Sequence, residues 1–388
     1  MIKDFISNNQ RRYLGLPPIS DDWDIVEFTN RMFQHEHTYL IFDGDVIRRI
    51  IRLYDSEYEE IQVCESTTEN RTLLLPKTKR GKPKKLNYSA TESIKGQGNY
   101  FYVCQNKDNC SIRIANYTTQ QTYIDETIPS NGNMKDDVQK WLQKWIDEST
   151  AEDLEELDRF TNAKRIHQHY QTGDFFAFRL SRREWGFGRI LMVVNELKKD
   201  PYFIKQKNYG LTHLMGQPLI INLYHKISSS PNIRLEELKG LPTLPAQAIF
   251  DNCFYYGEYP IIGNQPVSPE EYDPLISLGQ GLSNDTRHIV YLQYGLIYKE
   301  TTLDKIKKVF PEFNNERYRN EGIGWTLNID NLRKCIEERS NINYWTFNKR
   351  ETDLRSPQNA VMKQRLFDFF GLDANKSYAE NLKKENKK

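Results

Sequence analysis

The sequence has no long hydrophobic run. Its longest apolar stretches, such as Leu219-Ile220-Ile221, have only the length of a strand, whereas a membrane-spanning helix needs about 20 apolar residues. Residues 1–8 also lack the apolar core of a signal peptide. We therefore expect a cytoplasmic protein that has no membrane partner.

Neither sign of charge dominates, because 54 basic residues are balanced by 53 acidic residues and the net charge is +1. A chain without a strong overall field does not attract nucleic acid or anionic lipid as a whole, so any electrostatic partner must meet a local patch. The five cysteines are scattered, odd in number and without C-x-x-C spacing. Disulfide-stabilised secreted proteins use dense, even sets of cysteines, so we expect reduced thiols.

The recognisable motifs of catalysis are missing too. There is no G-x-S-x-G nucleophile elbow, and Gly279-Gln280-Gly281 lacks the third glycine and the following helix of a dinucleotide-binding loop. The carboxylate neighbours Glu236-Glu237 and Glu270-Glu271 are of a kind that usually forms solvated surface charge. We predict no catalytic residue and no cofactor.

Two His-x-His pairs, His35-Glu36-His37 and His167-Gln168-His169, are the best candidates for a metal site. On a strand, residues two apart share a face, which suits two ligands of one ion. A metallohydrolase needs further ligands, and none of the three remaining histidines shows metal-motif spacing: His213, His225 and His288. We predict no metal site.

The chain of 388 residues is long enough for two or three domains, and an aromatic content of 12% supplies side chains for their cores. Short strands recur between residues 37 and 126, separated by turn residues, which predicts an antiparallel sandwich or barrel. Helical spacing then begins with Val138, Trp141 and Leu142. The sequence predicts an α+β protein.

We expect five segments in this α+β protein. A β-rich N-terminal domain covers residues 1–130, and a helical connector covers residues 131–164. A second β-rich domain, barrel- or sandwich-like, covers residues 165–300. A small helical region follows at residues 301–375, and the lysine-rich end, residues 376–388, is predicted to be a flexible tail.

The second β-rich domain opens with a strand whose two faces can be assigned. Phe176, Phe178 and Leu180 alternate with Phe175, Ala177 and Arg179, and the first set is the predicted core face. The next strand carries Gly186 and Gly188 on either side of Phe187. Such glycines allow a bent strand or the close approach of another backbone, including that of a partner.

This region resembles the immunity protein 26 family. The resemblance rests on Gly173-Asp174-Phe175-Phe176-Ala177-Phe178-Arg179-Leu180 with Gly186-Phe187-Gly188-Arg189-Ile190, and on a later block from Pro245 to Gly263, so it covers residues 168–300. Arg179 stands where the family pattern has proline. The resemblance implies a β-rich domain that protects a bacterium from a partner toxin, and it carries over no catalytic residue. Families of this type are also linked to phosphotriesterases, so a metal-dependent phosphoester hydrolase remains an alternative.

The sharpest charge feature is a basic run whose members are Lys77, Lys79, Arg80, Lys82, Lys84 and Lys85. It fits a solvated loop, an acidic protein partner or a phosphate backbone. A nucleic-acid-binding regulator that uses this run is therefore a further alternative, although few aromatic residues accompany the cations.

The remaining candidates for partner binding are aromatic and arginine side chains, which are favoured at interface hot spots. They are Arg179, Trp185, Arg189, Tyr255, Tyr256 and Tyr259. Residues 246–255 are predicted to form a strand. The aromatic cluster of residues 250–259 is interpreted first as core packing, and alternate aromatic residues that face outwards from the strand are the other interpretation. The favoured function is neutralisation of a cognate toxin by binding, without catalysis.

Overall fold

The structure, a computed structural model, describes residues 5–29, 36–199, 201, 210, 216–272, 274–314, 317–347 and 351–386. The chain divides into two units, Met1–His167 and Gln168–Lys388. Strands and helices are largely segregated along the chain, which confirms the α+β class. No helix within the described ranges has the length and apolar character that crossing a membrane requires.

The first unit consists of nine strands and four helices in its described part. The strands are β1 (Asp24–Thr29), β2 (His37–Asp43), β3 (Val46–Leu53), β4 (Glu57–Ser66), β5 (Leu73–Leu74), β6 (Lys84–Lys85), β7 (Gln97–Gln105), β8 (Asn109–Asn116) and β9 (Gln121–Pro129). The helices are α1 (Asn8–Arg12), α2 (Tyr88–Glu92), α3 (Met134–Asp147) and α4 (Ala151–Thr161).

Seven of these strands form one antiparallel sheet in the order β1-β2-β3-β4-β7-β8-β9, and β5 and β6 pair as a separate hairpin. One face, with Phe101 and Ile112, packs against α3 and the N-terminal segment. The other face, with Leu40 and Ile50, covers a smaller cluster that includes Leu86. The first unit is thus a single sheet covered by helices rather than the predicted sandwich or barrel, because α3 supplies the apolar surface that a second sheet would have supplied.

The helices predicted as a connector over residues 131–164 lie within the first unit. Val138, Trp141 and Leu142 give α3 the predicted apolar stripe, and this stripe is buried in the core of the sheet. Thr150 caps α4 in a capping box with Asp153. An exposed connector would leave such a stripe in water, so burial against the sheet is the more stable arrangement.

The second unit contains eight strands and seven helices among its described residues. The strands are β10 (Asp174–Ser181), β11 (Glu184–Val193), β12 (Pro218–Ser228), β13 (Thr243–Phe250), β14 (Ile261–Asn264), β15 (Ile276–Gln280), β16 (Ile289–Tyr294) and β17 (Ile297–Thr302). The helices are α5 (Val194–Leu197), α6 (Asn252–Tyr255), α7 (Leu303–Val309), α8 (Ile329–Glu337), α9 (Asn341–Phe347), α10 (Ala360–Phe370) and α11 (Tyr378–Glu385).

The strands of the second unit form a five-stranded sheet, β13-β12-β11-β10-β14, and a three-stranded sheet, β15-β16-β17. Phe176, Phe178 and Leu180 lie in the core with residues of α8 such as Ile336, which confirms the predicted core face of β10. The opposite face is buried as well, because Phe175 and Ala177 join a second, smaller cluster. This second cluster, with Phe175 and Tyr224, lies on the face of the sheet that carries the cleft.

The C-terminal residues predicted to be a flexible tail form helix α11 within residues 376–386. Ser377 caps the helix in a capping box with Glu380. Tyr378 is only 4% exposed, and its hydroxyl accepts a hydrogen bond of 3.0 Å from the backbone N–H of Leu296. The prediction of a flexible tail is corrected. The lysine content suggested an unstructured segment, but a buried tyrosine and a helix cap hold it in a helix.

Candidate functional site

A cleft of about 600 Å³ opens over the smaller buried face of the five-stranded sheet. Its residues on the central strands are Phe175 on β10, Arg189 on β11, and Asn222 and Tyr224 on β12, and Thr243 begins β13. Apolar and rim residues between β12 and β15 complete the lining: Leu235, Leu238, Lys239, Gly240, Leu241, Pro242, Thr243, Gln265, Glu270, Glu271 and Tyr272. The volume falls within the range of about 300–1,000 Å³ that is typical of ligand pockets.

Strand register brings the polar residues of the cleft together. Phe175 pairs with Arg189 across β10 and β11, and Arg189 pairs with Asn222 across β11 and β12. Because side chains at paired positions of neighbouring strands project from the same face, all three point towards the cleft side of the sheet. Tyr224, two residues beyond Asn222, shares that face.

Arg189 is 1% exposed and is fixed on several sides. Its Nη1 lies 2.6 Å from Glu271 Oε1, and its Nη2 donates to the backbone oxygens of Gln265 and Pro266, each at 2.8 Å. The guanidinium carbon also lies 4.5 Å from the ring centre of Phe175. A buried cation needs such compensation, and here an ion pair, two carbonyls and an aromatic face supply it.

Glu271 supplies the negative charge that balances Arg189 in the cleft. The sequence predicted it to be solvated surface charge. Burial opposes its ionised form, but the backbone N–H of Ser268, at 3.0 Å, and the Arg189 guanidinium outweigh that effect and lower its pKa. Its side chain is half exposed, at 49%. Glu271 is thus an exposed charge, as the sequence predicted, and the fold adds a buried guanidinium beside it.

Two polar atoms of the cleft side chains are buried and have no hydrogen-bond partner among the described residues. They are Arg189 Nε, which is a donor, and Asn222 Oδ1, which is an acceptor. A buried polar atom without a partner costs about 1–3 kcal/mol. Both atoms belong to side chains that line the cleft.

The glycine pair of β11 does not offer a face to a partner. A Cβ at Gly186 would lie 2.4 Å from the ring of Phe178, and a Cβ at Gly188 would lie 2.3 Å from the ring of Phe176. The two rings of β10 therefore lie directly over the glycines of the neighbouring strand. Of the two interpretations of this pair, the structure supports close packing within the domain.

The tyrosines near residue 255 are only partly available to a partner. Strand β13 ends at Phe250 and the predicted continuation is instead the helical turn α6. Tyr259 is 4% exposed and its hydroxyl accepts from the N–H of Leu327 at 3.3 Å, so it belongs to the core. Tyr255 is 37% exposed and Tyr256 is half-buried. Tyr259 is removed from the predicted surface, because the turn directs it inwards.

Arg179 and Trp185 form a half-buried pair near the turn between β10 and β11. The guanidinium carbon lies 4.4 Å from the indole ring centre, and Arg179 Nη1 donates to the backbone oxygen of Arg182 at 2.7 Å. The register of β10 shifts between Arg179 and Ser181. This irregularity begins at Arg179, the position where the sequence resemblance led us to expect proline. Unlike Arg189, this pair is partly open to solvent.

The predicted basic run covers the loop of the β5–β6 hairpin and strand β6 itself. All six cations are exposed. Lys77 Nζ lies 2.7 Å from Glu65 Oε1. The other five cations make no ion pair within the described part of the chain, and no acidic residue occurs between Glu69 and Glu92. The hairpin is therefore a local positive patch on a nearly neutral protein.

The histidines are dispersed. His37 Nδ1 lies 2.5 Å from Glu27 Oε1, and His225 is buried near the backbone oxygen of Ile336 and Asn341 Oδ1. The exposed histidines are His167, His169 and His288. His35 and His213 lie outside the described residues. Among the residues that are described, no group of three His, Cys, Asp or Glu side chains is arranged to hold a metal ion.

Sequence reasoning missed two residues, one that lines the cleft and one that is exposed on the surface. Asn222 lies in an apolar strand sequence, and only its register opposite Arg189 gives it significance. Trp325 is 69% exposed and its ring centre lies 4.5 Å from that of Phe250. A lone tryptophan in a glycine-containing loop carries no sequence signal that separates surface from core.

Comparison with known proteins relates part of the second unit to a protein family. The family model of immunity protein 26 matches residues 171–287, as the sequence resemblance predicted. No curated protein and no solved structure matches the chain. Every residue that lines the cleft falls within the matched segment.

Proposed function

We propose that this chain, whose second unit carries the immunity protein 26 match, is a bacterial immunity protein that neutralises a cognate toxin in the cytoplasm by binding and occluding it, without catalysis. One observation carries the proposal. The segment that matches the immunity family is also the segment that forms the cleft, from Phe175 to Tyr272. The matched residues therefore form a concave surface on a sheet that is packed on both faces.

The arrangement of the cleft suits recognition of another protein. Binding energy at interfaces is concentrated in a few well-fixed side chains, often arginine and aromatic residues. Arg189 is held in one position by four contacts, so little conformational freedom remains to be lost on binding. Lys239 and Glu270 place charges of both signs on the exposed rim, where charge steers association and selects partners.

Co-expression tests this function. The chain is produced in a bacterial host together with a candidate toxin encoded by a neighbouring gene, and growth and co-purification are measured. Charge reversal at the rim, Lys239→Glu with Glu270→Lys, is expected to reduce protection and complex formation together. Lys144→Glu, at a 73% exposed position of the first unit, is the matched control and is expected to protect fully.

Two outcomes would contradict the proposal. Protection without any detectable complex would argue against occlusion. Recovery of a toxin that the chain has cleaved or chemically modified would argue for an enzyme instead. Mass spectrometry of the recovered toxin separates these results, because an occluded toxin keeps its full mass and regains activity when the complex is dissociated.

A second candidate function is supported by the β5–β6 hairpin. Five exposed cations without ion-pair partners among the described residues could contact a phosphate backbone as a nucleic-acid-binding regulator would. Fluorescence anisotropy with a DNA duplex between about 50 and 200 mM salt measures this. Replacing Lys79, Lys82 and Lys84 by glutamine is expected to reduce the slope of log K against log salt by about 0.9 per lost contact. An unchanged slope would exclude the hairpin as the contact.

A further inference from the structure

The turn that leads from β9 into α3 contains the only Asn-Gly pair of the sequence, Asn131-Gly132. Both residues are exposed, and a Cβ placed on Gly132 would meet no atom within 4 Å. The side chain of an asparagine forms a five-membered succinimide ring when the backbone nitrogen of the next residue attacks its amide carbon. Glycine at that position permits the attack, because it has no side chain to obstruct the ring and its backbone is unusually free.

The side-chain amide of Asn131 is held close to the backbone that would attack it. Its Oδ1 accepts a hydrogen bond of 2.8 Å from the backbone N–H of Asn133, two residues further on. This side-chain turn folds the amide group back towards the Gly132 peptide. The same N–H would stabilise the negative charge that develops on Oδ1 when the amide carbon is attacked, as the donors of an oxyanion hole do.

A chain of hydrogen bonds leads away from the attacking nitrogen. The backbone N–H of Gly132 donates to Ser130 Oγ at 3.1 Å, and the Ser130 hydroxyl donates to Asp137 Oδ2 at 2.9 Å. Asp137 is only 5% exposed, and its Oδ2 also accepts from the backbone N–H of Asn131 at 3.0 Å. The attacking nitrogen must lose its proton, and this chain ends in a carboxylate that draws the proton away through the hydroxyl.

We propose that Asn131 is a site of self-catalysed deamidation. The Gly132 nitrogen bonds to Cγ of Asn131 while its proton passes to Ser130 Oγ and the hydroxyl proton of Ser130 passes to Asp137. The bond between Cγ and Nδ2 then breaks, and Nδ2 leaves with the electron pair and takes the proton back through Ser130, as ammonia. Water opens the succinimide at either of its two carbonyl carbons and gives aspartate or isoaspartate.

This modification would loosen the start of α3, and it is independent of the proposed function. Isoaspartate at position 131 adds a methylene to the main chain, and either product adds a carboxylate to a residue whose backbone already contacts Asp137. The next residues hold the helix, since Asn133 caps α3 by accepting from the N–H of Asp136 at 3.3 Å. The apolar stripe of α3 is buried in the core of the sheet, so the first unit is expected to lose stability as the protein ages.

Peptide mapping by mass spectrometry tests the proposal on the full chain, incubated at neutral pH either folded or in concentrated urea. Each deamidation adds about 1 Da to the peptide. Asn131 is expected to react faster in the folded chain, because unfolding keeps the Asn-Gly pair but removes the hydrogen bonds around it. A folded rate at or below the rate in urea would overturn the proposal.

Asn106 provides an internal control in the same samples. It is exposed, and its Oδ1 accepts from the backbone N–H of Asp108 at 3.1 Å in a turn of the same kind, but Lys107 follows it in place of a glycine. Asn106 is expected to stay unmodified while Asn131 reacts. Equal reaction at Asn106 and Asn131 in the folded chain would show that the exposed turn alone is sufficient, and would contradict the proposed role of the relay.

Two substitutions at Ser130 separate proton relay from loop structure. Ser130→Ala removes the hydroxyl and is expected to slow deamidation of the folded chain at least about tenfold, with no effect in urea. Ser130→Thr keeps a hydroxyl and is expected to retain most of the rate, whereas a merely structural role would move both variants towards the rate in urea. Equal folded rates for wild type and Ser130→Ala would refute the relay. The comparison of folded with unfolded wild-type chain involves no substitution, so it decides the proposal even if Ser130→Ala misfolds.

Discussion

Replacing Glu60 by glutamine is expected to destabilise the first unit strongly. Glu60 lies on β4, is fully buried, and accepts hydrogen bonds from Arg11 Nε at 2.9 Å, Arg11 Nη2 at 3.0 Å and the Tyr58 hydroxyl at 2.8 Å. Arg49 Nε lies 3.5 Å from the same carboxylate. Two guanidinium groups, both at most 2% exposed, therefore share one counter-charge.

The magnitude follows from what the substitution leaves behind. Glutamine keeps the volume of Glu60 but removes its charge, so the buried Arg11 and Arg49 cations face each other without compensation. Removing one partner of a buried ion pair costs about 3–5 kcal/mol. A typical domain has only about 5–15 kcal/mol of stability, so a large part would be lost. Arg49 also donates to the Pro17 oxygen at 2.8 Å, and the N-terminal segment should loosen with it.

Hydrogen exchange read by mass spectrometry localises this loss in the full chain. Slow amides of β3 and β4 are expected to exchange roughly 10²–10³-fold faster in Glu60→Gln, since each 1.4 kcal/mol is a factor of ten. The control is Asp125→Asn, which breaks the Arg113–Asp125 pair, 42% exposed on each side, on the same sheet. An exposed pair contributes about 0–1 kcal/mol. If both variants changed the exchange rates by equally small factors, the result would refute the argument that Glu60, Arg11 and Arg49 are shielded from water.

Other perturbations test other parts of the molecule. Maleimide should label exposed Cys64 rapidly, while Cys253, whose thiol pKa is raised by burial, should stay unlabelled without denaturant; equal rates by peptide mapping would contradict this. The lowered pKa of Glu271 means that its stabilisation is complete above its unfolded-state pKa and is lost as the pH falls through the folded-state pKa. The difference in unfolding free energy between wild type and Glu271→Gln should therefore shrink on acidification, and a constant difference would argue against the ion pair. Gly188→Ala should cost about 3 kcal/mol or more by denaturant unfolding, because its Cβ would meet the Phe176 ring at 2.3 Å and the Asn222 backbone oxygen at 2.6 Å; a near-neutral effect would show that β10 can shift.

Local sequence patterns predicted the elements whose signals are periodic. The apolar spacing of Val138, Trp141 and Leu142 predicted a helix, and α3 covers those residues. Alternation predicted that Phe176 and Phe178 would face the core, and they do. These patterns succeed because burial of one face repeats with the geometry of the helix or the strand itself.

The same reasoning failed where a single tertiary contact outweighs local composition. The lysine-rich C-terminal residues form α11 because Tyr378 is buried and its hydroxyl oxygen accepts a hydrogen bond from the N–H of Leu296. The aromatic run after Phe250 leaves the strand because α6 turns Phe254 and Tyr259 into the core. Neither the lysines nor the aromatic residues predict by themselves which distant residues will pack against them, and these contacts override local propensity.

The sequence by itself determined the α+β class, the inward face of β10 and the segment that matches immunity protein 26. Only the tertiary structure decided that Arg189, Asn222 and Glu271 would meet in one cleft. Arg189 and Glu271 are 82 residues apart, and they meet through strand register and loop packing. Periodicity reports whether a residue is buried, whereas the identity of its distant partners depends on how separate elements pack together.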